Sequence, residues 1–426
     1  MTRELVAEVT LDNTDGLRRV VVPPYNRART VNLRFIELPG EGGFLVQAWG
    51  AAFPDDGGGG YQGHLHRSAG VLNSSIDVLR EAWLHHVVRH EERSDTGPRR
   101  HPFADGWNLS GRPELLRRVG PALAQAGHST YRLLFGGTDP GLRRIRALLE
   151  TALAEGENVI SIESDSLLVP WGMLYAAPER PDEFPAGERW SVAGFWGYRH
   201  VIEHTFTRVD DFDARITVAG GKVVVGLNVD RGVDLQFPET PYIAPVKAFF
   251  QGRAEVVLRE DKQTLLAHFR SKAFSDHVTY FGCHGKVSGS DGRVEHPYLI
   301  LGDGQRIYGA DLEAWLADAP LPTQPFVYVG ACQGGQVCSA FYAGFGKVLL
   351  GNGGRCLIGP QIDLPPAFAC EYSHRLFSAF LDSGAKLGDI VRSLARVFVD
   401  EHANPLGLMF SLYRGIDVHL WQAGRP

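Results

Sequence analysis

Val278-Thr279-Tyr280-Phe281-Gly282-Cys283-His284-Gly285 and Phe326-Val327-Tyr328-Val329-Gly330-Ala331-Cys332-Gln333-Gly334-Gly335 share one plan. Each begins with β-branched and aromatic residues without polar alternation and ends in glycine, cysteine or histidine. Short apolar runs of this kind are strands buried on both faces, as in a parallel sheet. In such a sheet all carboxyl ends fall on one edge, and ligand crevices form there. Were the two strands neighbours, His284 and Cys332 would stand within reach of one another across a cleft.

Working outward, Val223–Leu227, Ala254–Leu258 and Cys356–Ile358 are similar apolar runs. The gaps hold helical sequence at Pro241–Phe250, Lys262–Phe269, Ala310–Ala317, Ser339–Leu350, Ala367–Leu381 and Leu387–Glu401. Alternating strands and helices predict an α/β fold, a doubly wound and mostly parallel sheet flanked by helices. One insertion, Tyr298–Leu301 and Arg306–Tyr308 around Gly302-Asp303-Gly304, reads as a hairpin. Upstream, 113–135 and 140–154 read as helices and Asn158–Ile162 as a strand.

The first fifty residues differ. Leu5–Val9 and Val31–Phe35 alternate apolar with polar side chains, and Pro23-Pro24 and Gly40–Gly43 break the runs, which predicts a small antiparallel sheet. Val71–Val88 has helical spacing, with Ser74-Ser75 as its expected cap. Residues 92–108 are charged and carry Gly97-Pro98, as a connector would. Two units follow: a β-plus-helix module at 1–95, of no evident role, and a larger domain at 110–426. No repeat stands out.

Composition narrows the function. Lysine and arginine number 43 against 49 acidic residues, a net charge of −6, so no global field gathers nucleic acid or acidic membrane. Met1–Leu11 carries Arg3, Glu4 and Glu8 without an apolar run, so no signal peptide is expected. No uncharged stretch approaches the roughly 18 residues that span a bilayer. The expected compartment is the cytoplasm, where thiols stay reduced. Five cysteines, all in the last third, do not form a disulfide framework.

The chemistry rests on Cys332 and His284. A thiol is only partly thiolate at neutral pH, and an imidazole beside it takes or shares its proton. Gly285 lets the backbone approach a substrate carbonyl, and Gly334 and Gly335 let the chain turn into a helix. The N–H groups of Gly285 and Cys332 are the oxyanion-hole candidates. Cys283, Cys338, Cys356 and Cys370 read as core thiols. A zinc site of Cys283, His284 and Cys332 is the sharper rival, but adjacent strand residues point opposite ways and make poor joint ligands. His64, His66, His85 and His86 have no partner cysteines and read as surface. Neither Gly57–Gly60 nor Gly302–Gly304 is followed by Gly-Lys-Ser/Thr, so nucleotide binding is not expected.

A family resemblance joins these residues. Gly330-Ala331-Cys332-Gln333-Gly334, with His284 48 residues upstream, resembles the caspase signature at all but its first position. Leu168-Val169-Pro170-Trp171-Gly172-Met173-Leu174-Tyr175, Phe281–Gly285, Val329–Gly335 and Gly353–Asp363 resemble segments of the CHAT domain, a bacterial branch of the caspase-like peptidases related to caspases and separase. Gly172 stands where that family usually has Glu, and Pro360 where it usually has Trp. The resemblance covers roughly residues 110–425. It implies a caspase-like sheet and a cysteine endopeptidase whose His284/Cys332 dyad needs no metal or cofactor. It also implies a protein substrate, a possible regulatory partner, and a role in bacterial defence or regulated cell death. Relatives that cut after Arg or Lys line their S1 pocket with acid, which makes Asp363 the candidate here, ahead of Glu371 and Asp303; its other reading is a cap for the following helix. A catalytically silent scaffold that binds a signalling partner, and a peptidase held latent until a partner or self-cleavage rearranges its cleft, are the alternatives.

Overall fold

The computed structural model describes residues 27–40, 42–54, 60–92, 99–176, 190–206, 213–218, 221–288, 296–318, 320–330 and 341–422. Its strands are β1 (Val31–Leu38), β2 (Gly43–Trp49), β3 (Tyr61–Leu65), β4 (Val159–Ser164), β5 (Val201–Thr205), β6 (Arg215–Val218), β7 (Val224–Val229) and β8 (Glu255–Arg259). They continue with β9 (Val278–Gly282), β10 (His284–Ser288), β11 (His296–Ile300), β12 (Arg306–Tyr308), β13 (Phe326–Val329), β14 (Cys356–Pro360), β15 (Phe410–Tyr413) and β16 (His419–Gln422). An 11-stranded sheet runs β3-β2-β1-β4-β5-β15-β14-β13-β9-β7-β8. It is parallel except at β1/β2, β2/β3 and β14/β15.

Period-two alternation on the central strands feeds two cores. Val278 and Tyr280 of β9, Phe326 and Tyr328 of β13, and Ile358 of β14 join one core, with Phe250, Phe377 and Ile390 from the helices Ile243–Gln251, Pro366–Ser383 and Leu387–Asp400. Phe281, Val327, Val329 and Leu357 join the other, with Leu265, Leu312 and Leu349 from Lys262–Phe269, Gly309–Leu316 and Lys347–Gly351. Helices thus cover both faces, which is the doubly wound arrangement that the continuous apolar runs predict.

Pro113–Phe135 and Pro140–Glu155 are helices, each with proline in its first turn, where the missing N–H costs nothing. The helix Ala69–Trp83 starts earlier than expected. Ser68 caps it by accepting the Val71 N–H, while Ser74 and Ser75 donate back to the carbonyls of Gly70 and Val71. It passes into a π-helical turn, Leu84–Val88.

β1 and β2 pair antiparallel, as the alternation of the first fifty residues predicts, and β3, not expected from the sequence, pairs antiparallel with β2; Leu5–Val9 lies outside the described residues. β1 also runs parallel to β4 and so extends the main sheet. Arg29, just before β1, bonds the buried carboxylates of Glu203 and Asp417 at 2.9 and 2.5 Å. Within the charged stretch 92–108, Glu92 and Arg100 exchange backbone hydrogen bonds and Phe103 is fully buried. The Trp107 ring meets His402 edge-on at 4.8 Å. Among the described residues, no helix is long and apolar enough to cross a membrane.

Candidate active site

Three parallel neighbours, β7, β9 and β13, end together on one edge of the sheet. Phe326 to Val329 pair with Val278 to Phe281 in register. Past the last pair, the Gly330 N–H donates to the Phe281 carbonyl at 2.7 Å, and on the other flank the Asp230 N–H donates to the Gly282 carbonyl at 3.0 Å. Residues 331–340 lie outside the described residues, so the expectations for Cys332, as nucleophile and as oxyanion N–H, and for Cys338 fall there.

The chain bends at Cys283 rather than stopping. Cys283 is buried, 1% exposed, in the second core. His284 opens β10, which with β11 and β12 forms a separate three-stranded sheet; His284 stands opposite Ile300 and Gly285 opposite Leu299. The expected hairpin is β11/β12, and β10 is its third strand. The two adjacent side chains therefore diverge, Cys283 into the core and His284 into a cleft.

The His284 side chain keeps 14% of its surface exposed, and its Nε2 lies 3.7 Å from Oδ2 of Asp230. Its Nδ1 is buried without a hydrogen-bond partner among the described residues. Burial lowers the imidazole below its ordinary range; Asp230 opposes the shift and Lys286 adds to it. Asp230 is fixed at both ends, since its Oδ1 accepts the Gly232 N–H at 2.7 Å while its own N–H is bonded to β9. Sequence reading missed it. The signal was an acid directly after the Val224–Val229 strand, which means something only once β7 and β9 are known to be neighbours.

The cleft holding His284 encloses about 600 Å³. Val233, Phe237, Glu239 and Thr240, after β7, form one side; Asp363 to Pro366, after β14, form another; Val88, Ala104 and Asp105 complete it. Asp363 and His284 thus share one cavity. The helix after Asp363 begins at Pro366 with Pro365 in the cap position, so Asp363 is not its N-cap residue. Glu371 pairs with Arg375 at 2.6 Å, and Asp303 accepts the N–H groups of Lys262 and Gln305 in the hairpin turn. Neither lines the cleft.

Beneath the strand ends lies a chain of buried hydroxyls. Tyr242 hydrogen-bonds Tyr280, Tyr280 bonds Ser373 at 3.2 Å, and Ser373 donates to Tyr328 at 3.1 Å. The Tyr242 hydroxyl fills the space a Cβ at position 330 would need. That explains why glycine occupies the one position departing from the caspase-like signature. Burial pushes the thiol of Cys370 up to about 11 and that of Cys356 higher still. Both remain protonated and poor nucleophiles at neutral pH.

No family model matches the chain. A protein of Vitiosangium sp. named "Probable protease" is 22% identical, over 87% of this chain and 53% of that protein. The chain spans about half the length of the curated relative it matches. Two solved structures of the Saccharomyces cerevisiae separase–securin complex are similar to it at a TM-score of 0.46. One is 10% identical over 92% of this chain and 30% of that chain. The other is 12% identical over 90% and 30%.

Proposed function

We propose that the chain is a caspase-like cysteine endopeptidase of the CHAT type, with Cys332 as nucleophile and His284 as its acid–base partner. The observation that carries the reading is the strand register. β9 and β13 pair with an offset of 48 residues, the separation of His284 and Cys332 in sequence. Three further points support it: the cleft around His284, the Asp230 carboxylate beside its ring, and the protonated state of Cys356 and Cys370. The "Probable protease" name of the Vitiosangium protein agrees with a peptidase.

In this mechanism the Cys332 thiol gives its proton to His284 as sulfur adds to the scissile carbonyl. The N–H groups of Gly285 and Cys332 hold the oxyanion. On collapse the C–N bond breaks, His284 delivers its proton to the departing amine, and a thioester remains. Water then adds while giving a proton to His284, and the thiol leaves with that proton. Asp230 orients the ring, and Asp363 lines the S1 subsite. No metal or cofactor enters. The substrate is a partner protein, the setting bacterial defence or regulated cell death in the cytoplasm, and the stretch 1–95 precedes the peptidase domain at 110–426 and adds β1, β2 and β3 to its sheet.

Incubating the purified protein with a bacterial proteome and sequencing the new termini tests this reading. Cleavage is expected from the wild type and not from Cys332→Ala with unchanged folding. Cleavage undiminished in Cys332→Ala would refute the assignment. A thiol-directed activity probe that labels neither protein would favour the silent scaffold.

A further inference from the structure

The cleft is not built by the strand ends alone. Val88 belongs to the π-helical turn that closes the helix Ala69–Trp83, and Ala104 and Asp105 belong to the short helix Pro102–Asp105. Single π-helical turns within α-helices are rare and concentrate at functional sites. This wall is held firmly. The Asp105 carboxylate accepts the His101 N–H at 2.7 Å, the Leu109 N–H donates to the His402 carbonyl at 2.9 Å, and the Arg375 guanidinium lies 5.3 Å over the Trp107 ring.

A second tie reaches the Asp363 loop. Arg80, fully buried on the helix Ala69–Trp83, donates to the Leu168 carbonyl at 2.5 Å and to Oε1 of Gln361 at 3.2 Å. Gln361 precedes Asp363 by two residues, and its amide in turn donates to the Tyr413 hydroxyl at 3.0 Å. The wall of Val88, Ala104 and Asp105 and the loop at 361–366 therefore form one fixed frame around His284.

The frame has a definite charge. Its lining includes the carboxylates of Asp105, Glu239 and Asp363, and no lysine or arginine among the described residues. Asp105 and Glu239 are solvent-exposed at the cleft and come from different elements, so their fields add over the space between them. A cavity of about 600 Å³ has room for several side chains, more than one S1 residue fills.

We propose that Asp105, with Glu239, is a specificity determinant that selects substrate segments carrying lysine or arginine beyond the residue at the scissile bond. This rests on the peptidase reading of the cleft. The short helix Pro102–Asp105 then takes part in substrate choice. Val88 and Phe237 supply apolar contact for the stems of the basic side chains.

The test uses fluorescein-labelled peptides that differ only in lysine, alanine or glutamate at positions flanking one fixed cleavage residue. Binding is measured to the Cys332→Ala protein, and kcat/KM to the protein with its thiol. The lysine peptide is expected to bind and react best. Asp105→Lys is expected to weaken the lysine peptide roughly tenfold and to improve the glutamate peptide, with a melting temperature lowered by loss of the His101 N–H bond. A preference reversed by one exposed charge would not follow from a structural role. An order of preference that survives Asp105→Lys and Glu239→Lys overturns the proposal, even when cleavage is efficient. Lysine-selective binding lost in Asp105→Lys, without any cleavage by the wild type, sinks the peptidase reading and leaves only the cleft's choice of basic segments standing.

Discussion

Nε2 of His284 and the carboxylate of Asp230 stand 3.7 Å apart at the ends of strands that are parallel neighbours. This contact sets the local electrostatic balance. Burial favours the neutral imidazole, and the carboxylate favours the charged one.

Burial wins, so under the proposed His284/Cys332 mechanism the acid limb of kcat/KM should lie below the ordinary histidine value of about 6.5. Asp230→Asn leaves burial unopposed and should move the limb to lower pH, with a loss in kcat from poorer ring orientation. A pH–rate profile checks this, and a limb moving upward would exclude the assigned contact.

Gly330 is packed against the Tyr242 hydroxyl. Gly330→Ala should cost about 1–3 kcal/mol of stability in denaturant unfolding, the usual range for overpacking. Adding Tyr242→Phe should recover part of that cost, since it removes the blocking atom. Strictly additive effects in the double-mutant cycle would show that the two sites do not touch.

Arg29 joins Glu203 and Asp417, whose side chains are 4% and 1% exposed. Arg29→Met leaves two buried carboxylates short of a counter-charge and should destabilise the fold by about 3 kcal/mol. Urea unfolding measures it. A change near zero would mean that β1 is held by its backbone pairing alone.

His204 is fully buried, with Nε2 donating to the Ser164 carbonyl at 3.0 Å, and burial lowers its pKa to about 4. Since the folded value lies below the unfolded one, its contribution to stability is complete above about pH 6.5 and is lost as pH falls from there toward 4. His200, lowered to about 3, acts with the same sign. Thermal melts between these pH values should show the decline, at most about 1.4 kcal/mol per pH unit for each histidine. His204→Gln, which keeps a donor for Ser164, should flatten the curve.

Much of this was legible because the central strands are buried on both faces. Val278–Gly282 and Lys262–Phe269 fall where their apolar patterns put them. Two of the strands that were not anticipated have remote partners. Phe410–Tyr413 becomes β15 by lying between β14 and β5, and Val201–Thr205 becomes β5 by lying beside β4. His284 and Asp363 could be named from their strand-end positions. Asp230, Val88 and Asp105 could not, because each acquires meaning only from the order of strands or from a wall folded in from elsewhere. Ser74-Ser75 misled for a local reason: both hydroxyls bond back within the helix they were expected to start.

β15 lies later in the chain than every other strand of the large sheet, yet it occupies a middle place, between β5 and β14. Among the described residues, the strands on either side pair with each other only through it. During synthesis each half can form its local pairings early, but the sheet that joins them is complete only once residues 410–413 have left the ribosome. Asp363, on the β14 side, reaches its fixed frame only then, because Arg80 comes from the other half and Gln361 is steadied by Tyr413. A nascent chain therefore carries the histidine of the cleft long before it carries the cleft.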